Sequence, residues 1–345
     1  MYQNYPGYYP YPFYWNQEEY LRQMRQKQMR RDYSAQGWTL LIYYGIMTLA
    51  VTIASLIDTF IQMGRSFTEA GSVDMDWITN QVLNNSGWGY MLAIGIGFII
   101  LLMWKKSAFT FGTIWQRGKP MKVGGFLQTL SIFMSAQMIF MVLSLLVELL
   151  LNQAGLTSPS AEAMEVDGLS MFLYAGLGAP ISEEILFRGL ILRRMEPYGK
   201  KFAIFASALL FGLFHGNLSQ APFAFCVGLV LGYVTLEHNI GWAMVLHMFN
   251  NLIISDNLTR LSELLPENTG SLLIWAVIGL FTLAAVVILI AQRKKIKAYL
   301  QSNQDEAGCA KAFWSAPGII TLVVIMSVSI LSSVFAYIMP MDYLS

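Results

Sequence analysis

Three short patterns hold the residue types able to do chemistry. The first is the run Ala179-Pro180-Ile181-Ser182-Glu183-Glu184-Ile185-Leu186-Phe187-Arg188-Gly189, which sets two carboxylates and a guanidinium inside an apolar stretch. An ionisable group at bilayer depth costs at least about 2.5 kcal/mol, so three within six residues call for a specific reason. Glu184 and Arg188 are four apart, the separation at which an acid and a following base meet on one helix face. Glu183 points roughly 100° away from Glu184. The expectation is that Glu184 and Arg188 neutralise each other while Glu183 faces a cavity with its carboxylate available.

The other two patterns contain histidines, of which the chain has three. His215 ends the string Phe211-Gly212-Leu213-Phe214-His215, and His247 is followed by Asn250 and Asn251. His238, between Glu237 and Asn239, reads as a solvated loop residue. A carboxylate taken out of water binds protons more readily, which suits a general base, and a nearby imidazole can share or relay the proton. His247 and Asn251, four apart, can aim donors at one point, as a developing oxyanion requires; Asn250 competes for that role. No Ser or Cys stands in a recognisable nucleophile setting, which favours attack by an activated water. The same Glu183, His215 and His247 could instead hold a divalent metal such as zinc, although the HExxH spacing of zinc proteases is absent. Two further readings stay open: a proton-coupled transporter using the acid and histidines as a relay, and a non-catalytic membrane scaffold or immunity protein in which the motif only packs.

Positioning these groups requires membrane helices. Of 345 residues, 55% are hydrophobic and 12% charged, with mean hydropathy +0.50. Soluble domains carry about 25% charged residues, so the composition is that of an all-α, polytopic bundle in the cell membrane. Nothing suggests nucleic acid as a partner. Apolar runs of spanning length, about 17 to 25 residues, are read at 39–62, 88–104, 126–150, 169–193, 202–216, 220–236, 240–255, 271–291 and 317–339, the fifth to seventh being short. With the N-terminus inside, Lys105, Lys106, Arg117, Lys119, Lys122, Arg193, Arg194, Lys200, Lys201, Arg293, Lys294, Lys295 and Lys297 fall in inner loops. Asp74, Asp76, Glu162, Glu165, Asp167, Asp256, Glu263 and Glu267 fall in outer ones, Arg65 and Arg260 being isolated exceptions. At about 1.5 Å per residue, Glu183 lies about 15 Å from the inner charges, His215 about 21 Å, His247 about 14 Å and Asn251 about 20 Å. Four polar groups from three helices thus share one layer.

Four segments follow from this reading: a Tyr/Pro-rich and basic cytosolic tail (1–37), two N-terminal transmembrane helices (38–123), a catalytic core (124–256) and C-terminal transmembrane helices (257–345). Residues 2–16 read as a disordered stretch without the order of a cleavable signal peptide. Arg22, Arg25, Lys27, Arg30 and Arg31 read as an orientation signal with affinity for anionic lipid. Gly212 with Gly216, and Gly228 with Gly232, have GxxxG spacing and are expected at close helix contacts. Cys226 and Cys309 lack CxxC spacing and read as packing residues.

At these residues the sequence resembles the CAAX protease and bacteriocin-processing family, which includes the type II CAAX prenyl endopeptidases. The family pattern EExxxR is met by Glu183, Glu184 and Arg188, FxxxH by Phe211 and His215, and HxxxN by His247 and Asn251. Phe187-Arg188-Gly189 and Gly228-Leu229-Val230-Leu231-Gly232 are also similar to the family. The resemblance covers roughly residues 120 to 255; the first two and last two spans lie outside it, and a ninth span exceeds the usual core of about eight helices. It implies hydrolysis of a peptide bond in a membrane-associated or lipidated peptide. Glu183 and His215 would activate water, His247 and Asn251 would bind the oxyanion, and Glu184 with Arg188 would hold the acid in place. Members have been described both as metalloproteases and as metal-free glutamate-dependent proteases.

Overall fold

The computed structural model describes residues 17–105, 111–153 and 168–338. The stretch 2–16, Lys106, Glu162, Glu165 and Asp167 lie outside the described residues, as does the side chain of Asp256. Within them the chain is helical, with no strand.

Helix α1 (Gln17–Ala70) has 54 residues, about 80 Å at 1.5 Å per residue. The basic stretch at 22–31 is part of it. Met29, Tyr33, Gln36, Leu40 and Tyr43 recur at alternating intervals of four and three and are all buried, so one stripe of α1 packs inward. Helix α2 (Met75–Trp104) starts at Asp74, whose carboxylate accepts the backbone N–H of Trp77 at 3.0 Å. Helix α3 (Val123–Gln153) lies against the long α8 (Glu267–Ser302), joined by Gln292 Nε2 donating to Gln128 Oε1 at 2.6 Å.

Between these outer helices lie α4 (169–195), α5 (Lys200–Phe214), α6 (Gln220–Glu237) and α7 (240–263). Phe187, Leu210, Phe211, Leu231 and Leu246 form their shared apolar core. Helix α9 (Pro317–Ile338) returns to α1. There Gly37 and Gly318 put backbone on backbone: a Cβ on Gly37 would lie 2.3 Å from the Gly318 carbonyl carbon, and the Gly318 N–H donates to Ser34 Oγ at 3.0 Å.

Among the described residues, six helices are long and apolar enough to cross a membrane: α1, α2, α3, α6, α8 and α9. The apolar runs at 169–193, 202–216 and 240–255 are not among them. Helix α4 alternates α and π turns, α5 has only 15 residues, and α7 is apolar only over Ile240–Ile253. Large apolar side chains such as Leu49, Phe60, Leu272 and Leu280 point outward around the bundle, as a lipid-facing surface requires. The protein is a multi-pass membrane protein.

Many of the cations meet at one end. Lys119 and Lys200 reach Glu237 at 3.0 and 3.7 Å, Lys201 reaches Asp305 at 3.8 Å, and Arg25 pairs with Glu306 at 2.8 Å. His238 is held there rather than freely solvated: its carbonyl accepts the Gly118 N–H at 2.6 Å, and its Nδ1 lies 2.8 Å from the Lys119 carbonyl. Both cysteines are free thiols.

Candidate active site

Helix α4 is locally unusual. Its residues Tyr174–Gly178 and Ile185–Leu192 form π turns on either side of Ala179–Glu184, and a third π segment, Asn250–Leu258, begins three residues after His247. Such turns are rare and concentrate at functional sites, because the wider turn re-aims side chains and frees backbone groups. One freed carbonyl has a use: Ala175 O accepts Asn251 Nδ2 at 2.8 Å, tying α7 to α4.

Glu184 and Arg188 are both 0% exposed, with Oε1 and Nη1 3.2 Å apart. Glu184 Oε1 also receives His247 Nδ1 at 3.0 Å, so this carboxylate fixes an imidazole as well as balancing a guanidinium. Arg188 Nη2 donates to the Gly228 carbonyl at 3.4 Å, and its Cζ lies 4.2 Å above the Phe211 ring. Small residues permit this: a Cβ on Gly228 would meet Ala208 at 3.0 Å and Arg188 at 3.2 Å. Its GxxxG spacing therefore marks a close approach between α5 and α6.

Gly212 also packs tightly, a Cβ there lying 2.6 Å from the Ala221 carbonyl oxygen. Gly216 has a different task from its GxxxG partner. It sits beyond the end of α5 at φ +63°, where glycine accepts the left-handed conformation that stops the helix. His215 is consequently the last half-turn of α5 rather than a mid-helix residue. Its Nδ1 lies 2.9 Å from the Phe211 carbonyl, which leaves Nε2 free to face the cavity.

Phe211 is the wedge of the site. Its ring meets His215 edge-on at 4.8 Å and His247 edge-on at 5.8 Å, with the Arg188 guanidinium on its face. Glu183, whose side chain is 27% exposed, turns away from this buried cluster and places Oε2 3.7 Å from His247 Nε2. Glu183, His215, His247, Asn250 and Asn251 all line one cavity of about 390 Å³.

Asn250 is buried and occupied on both sides. Its Oδ1 accepts Gln137 Nε2 at 2.7 Å and its Nδ2 donates to Asn251 Oδ1 at 3.0 Å. It thus orients Asn251 rather than competing with it. Gln137 belongs to α3 and was not among the residues singled out from sequence; its signal is an amide midway along an apolar run. Ser182 is buried with Oγ 2.9 Å from the Ala179 carbonyl, away from any nucleophile role.

Glu183, His215 and His247, the residues named for a zinc set, line the same cavity. Among the described residues no group of three or more His, Cys, Asp or Glu side chains converges closely enough to hold a metal ion. Both imidazoles are held at Nδ1, by the Phe211 carbonyl and by Glu184, which fixes the direction of each Nε2.

No curated protein and no solved structure matches the chain. Residues 165–253 match the family described as type II CAAX prenyl endopeptidase Rce1-like. That stretch contains Glu183, Glu184, Arg188, His215, His247 and Asn251, while α1, α2, α3, α8 and α9 lie outside it. Over residues 165–253, then, this multi-pass membrane protein is similar to the CAAX prenyl endopeptidases, as its three motifs indicate.

Proposed function

We propose that the protein is an intramembrane endopeptidase that hydrolyses a peptide bond of a membrane-associated or lipidated peptide with a water activated by Glu183. The observation that carries this reading is the gathering of one partly exposed carboxylate, two imidazoles and an oriented amide on the wall of a single cavity. Glu183 takes the proton as the water attacks, with His215 Nε2 accepting from the same water and setting its direction. His247 donates Nδ1–H to Glu184, so Nε2 needs a second proton before it can donate to the oxyanion. Glu183, 3.7 Å away, supplies it once it has accepted one from water. The imidazolium between two carboxylates, with the second N–H of Asn251, then stabilises the tetrahedral intermediate and returns the proton to the leaving amine. Glu184 and Arg188 act through His247 as positioning residues.

The test is cleavage of a fluorescence-quenched, prenylated CAAX peptide by protein reconstituted in liposomes. Glu183→Gln is expected to lower kcat roughly 10²- to 10⁴-fold, the contribution of a positioned general base. His215→Ala and His247→Ala are expected to fall with it. Full turnover by a folded Glu183→Gln variant would overturn the mechanism.

A further inference from the structure

Glu183 and His215 face two cavities, not one. The first, of about 390 Å³, is the one described above; the second, of about 430 Å³, lies between α1, α2, α4 and α5. Both volumes are in the range of ligand sites, about 300 to 1,000 Å³. The two cavities share only Glu183 and His215 as lining residues, so the proposed base and its partner stand on the wall between them.

The two linings differ in chemistry. The first cavity sets the amides Gln137, Gln220, Asn250 and Asn251, with the charged Arg260 and Glu263 near its rim, among apolar walls that include Phe133, Phe140 and Phe223. The second has no charged lining residue other than Glu183. Its walls are aromatic and aliphatic: Tyr43 and Tyr44 lean on Phe214 at 6.4 and 5.6 Å, and Tyr90 stacks on Tyr174 at 4.7 Å with 20° between the rings. Its polar atoms are almost all hydroxyls, including those of Thr48 and Thr52. Most of this wall comes from α1 and α2, which lie outside the family match.

A peptide bond has chain on both sides of it. We infer that the substrate threads across the Glu183–His215 wall, its apolar flank held in the α1/α2 cavity by Tyr43, Tyr90 and Tyr174 and its polar flank in the amide-lined cavity. This rests on the peptidase reading and adds the substrate class: a peptide amphipathic about its scissile bond, with the N-terminal helices setting the apolar specificity.

The experiment uses the full-length Glu183→Gln protein in lipid nanodiscs with two prenylated CAAX peptides. One carries a benzoyl-phenylalanine on the prenyl-bearing flank, the other on the opposite flank. Mass spectrometry after irradiation is expected to place the first cross-link in residues 43–52 or 90–94 and the second in 133–140 or 220–224. Both cross-links in one cavity, or none in 43–52 or 90–94, would overturn the inference. In wild type, Val51→Trp, which fills the apolar cavity, is expected to raise KM about tenfold with kcat little changed. Absence of cleavage by wild type with the two-sided cross-links intact would defeat the peptidase reading alone. Cleavage with both probes in one cavity would defeat the two-sided site alone.

Discussion

Arg188 is completely enclosed and has one carboxylate to balance it, so the pair is sensitive to losing either member. Arg188→Met leaves Glu184 charged in the core with only the His247 Nδ1–H to support it and is expected to cost about 3–5 kcal/mol, seen as a lower melting temperature in detergent. Glu184→Gln/Arg188→Met removes both charges and should recover most of that loss. Gln137 makes a different prediction. Gln137→Leu strips the amide that holds Asn250 and leaves a buried acceptor bare, a penalty of about 1–3 kcal/mol. If that penalty falls on the transition state, kcat drops roughly 5- to 150-fold with KM unchanged, measured by steady-state cleavage. The carboxylate pair was legible because helical spacing alone separates Glu183 from Glu184. Gln137 was not, although the same depth count places it about 22 Å from the inner charge Lys122, in the layer of His215 and Asn251. Gln128, the other amide of that run, is nine residues away, so Gln137 has no partner at helical spacing to announce it. The second role of Glu184, holding His247, was also hidden, since it joins residues 63 apart in sequence.

At the scale of elements, apolar runs and flanking charges located the helices well, and the ends less well. Run five stops at Phe214 rather than 216 because Gly216 takes a left-handed turn. The π turns of α4 and α7 could not be read at all, for they depend on the close approach of α4 and α7, as where a Cβ on Gly176 would lie 2.2 Å from Leu252. One junction between elements is open to pH. Burial works to raise the Glu237 carboxyl, but hydrogen bonding to Lys119 and the charges of Lys119 and Lys200 outweigh it, so the group is held below its ordinary value of 4.5. A carboxylate lowered on folding stabilises the fold above about pH 4.5 and loses that contribution as pH falls through the folded value. Protection of the Gly118 and Lys119 amides, relative to an unfolded chain at the same pH, is therefore expected to fall below pH 4.5, where the tie between their loop and α6 weakens, and Glu237→Gln should show the same loss at neutral pH.

For the whole molecule, the N- and C-terminal helices form one flank. Arg25 reaches Glu306, Tyr198 donates to Asp32, Arg30 donates to the Ser315 carbonyl at 2.9 Å, and Gly37 meets Gly318. A side chain at Gly318 would press its Cβ to 2.1 Å from the Ser34 carbonyl oxygen. Gly318→Leu is thus expected to part α9 from α1, read as faster limited proteolysis between 303 and 316 without a change in the spectrum of a fully helical protein. The polytopic all-α class was plain from composition. That α1 and α9 close on each other across some 280 residues was not, because the contacting part of α1 reads only as a basic tail and α9 only as an apolar run.

The π segments of α4 have one more consequence. Each holds its turn with i→i+5 bonding, one residue more than the α turn, so it shifts the phase of everything beyond it. If Ile185–Leu192 wound instead as an ordinary helix with no residue lost, the Glu183–Glu184 end would turn by about 100° against the end that carries Arg193. Every functional side chain would still be present, aimed at the wrong neighbour. In this helix the number of residues is as much part of the chemistry as their identity.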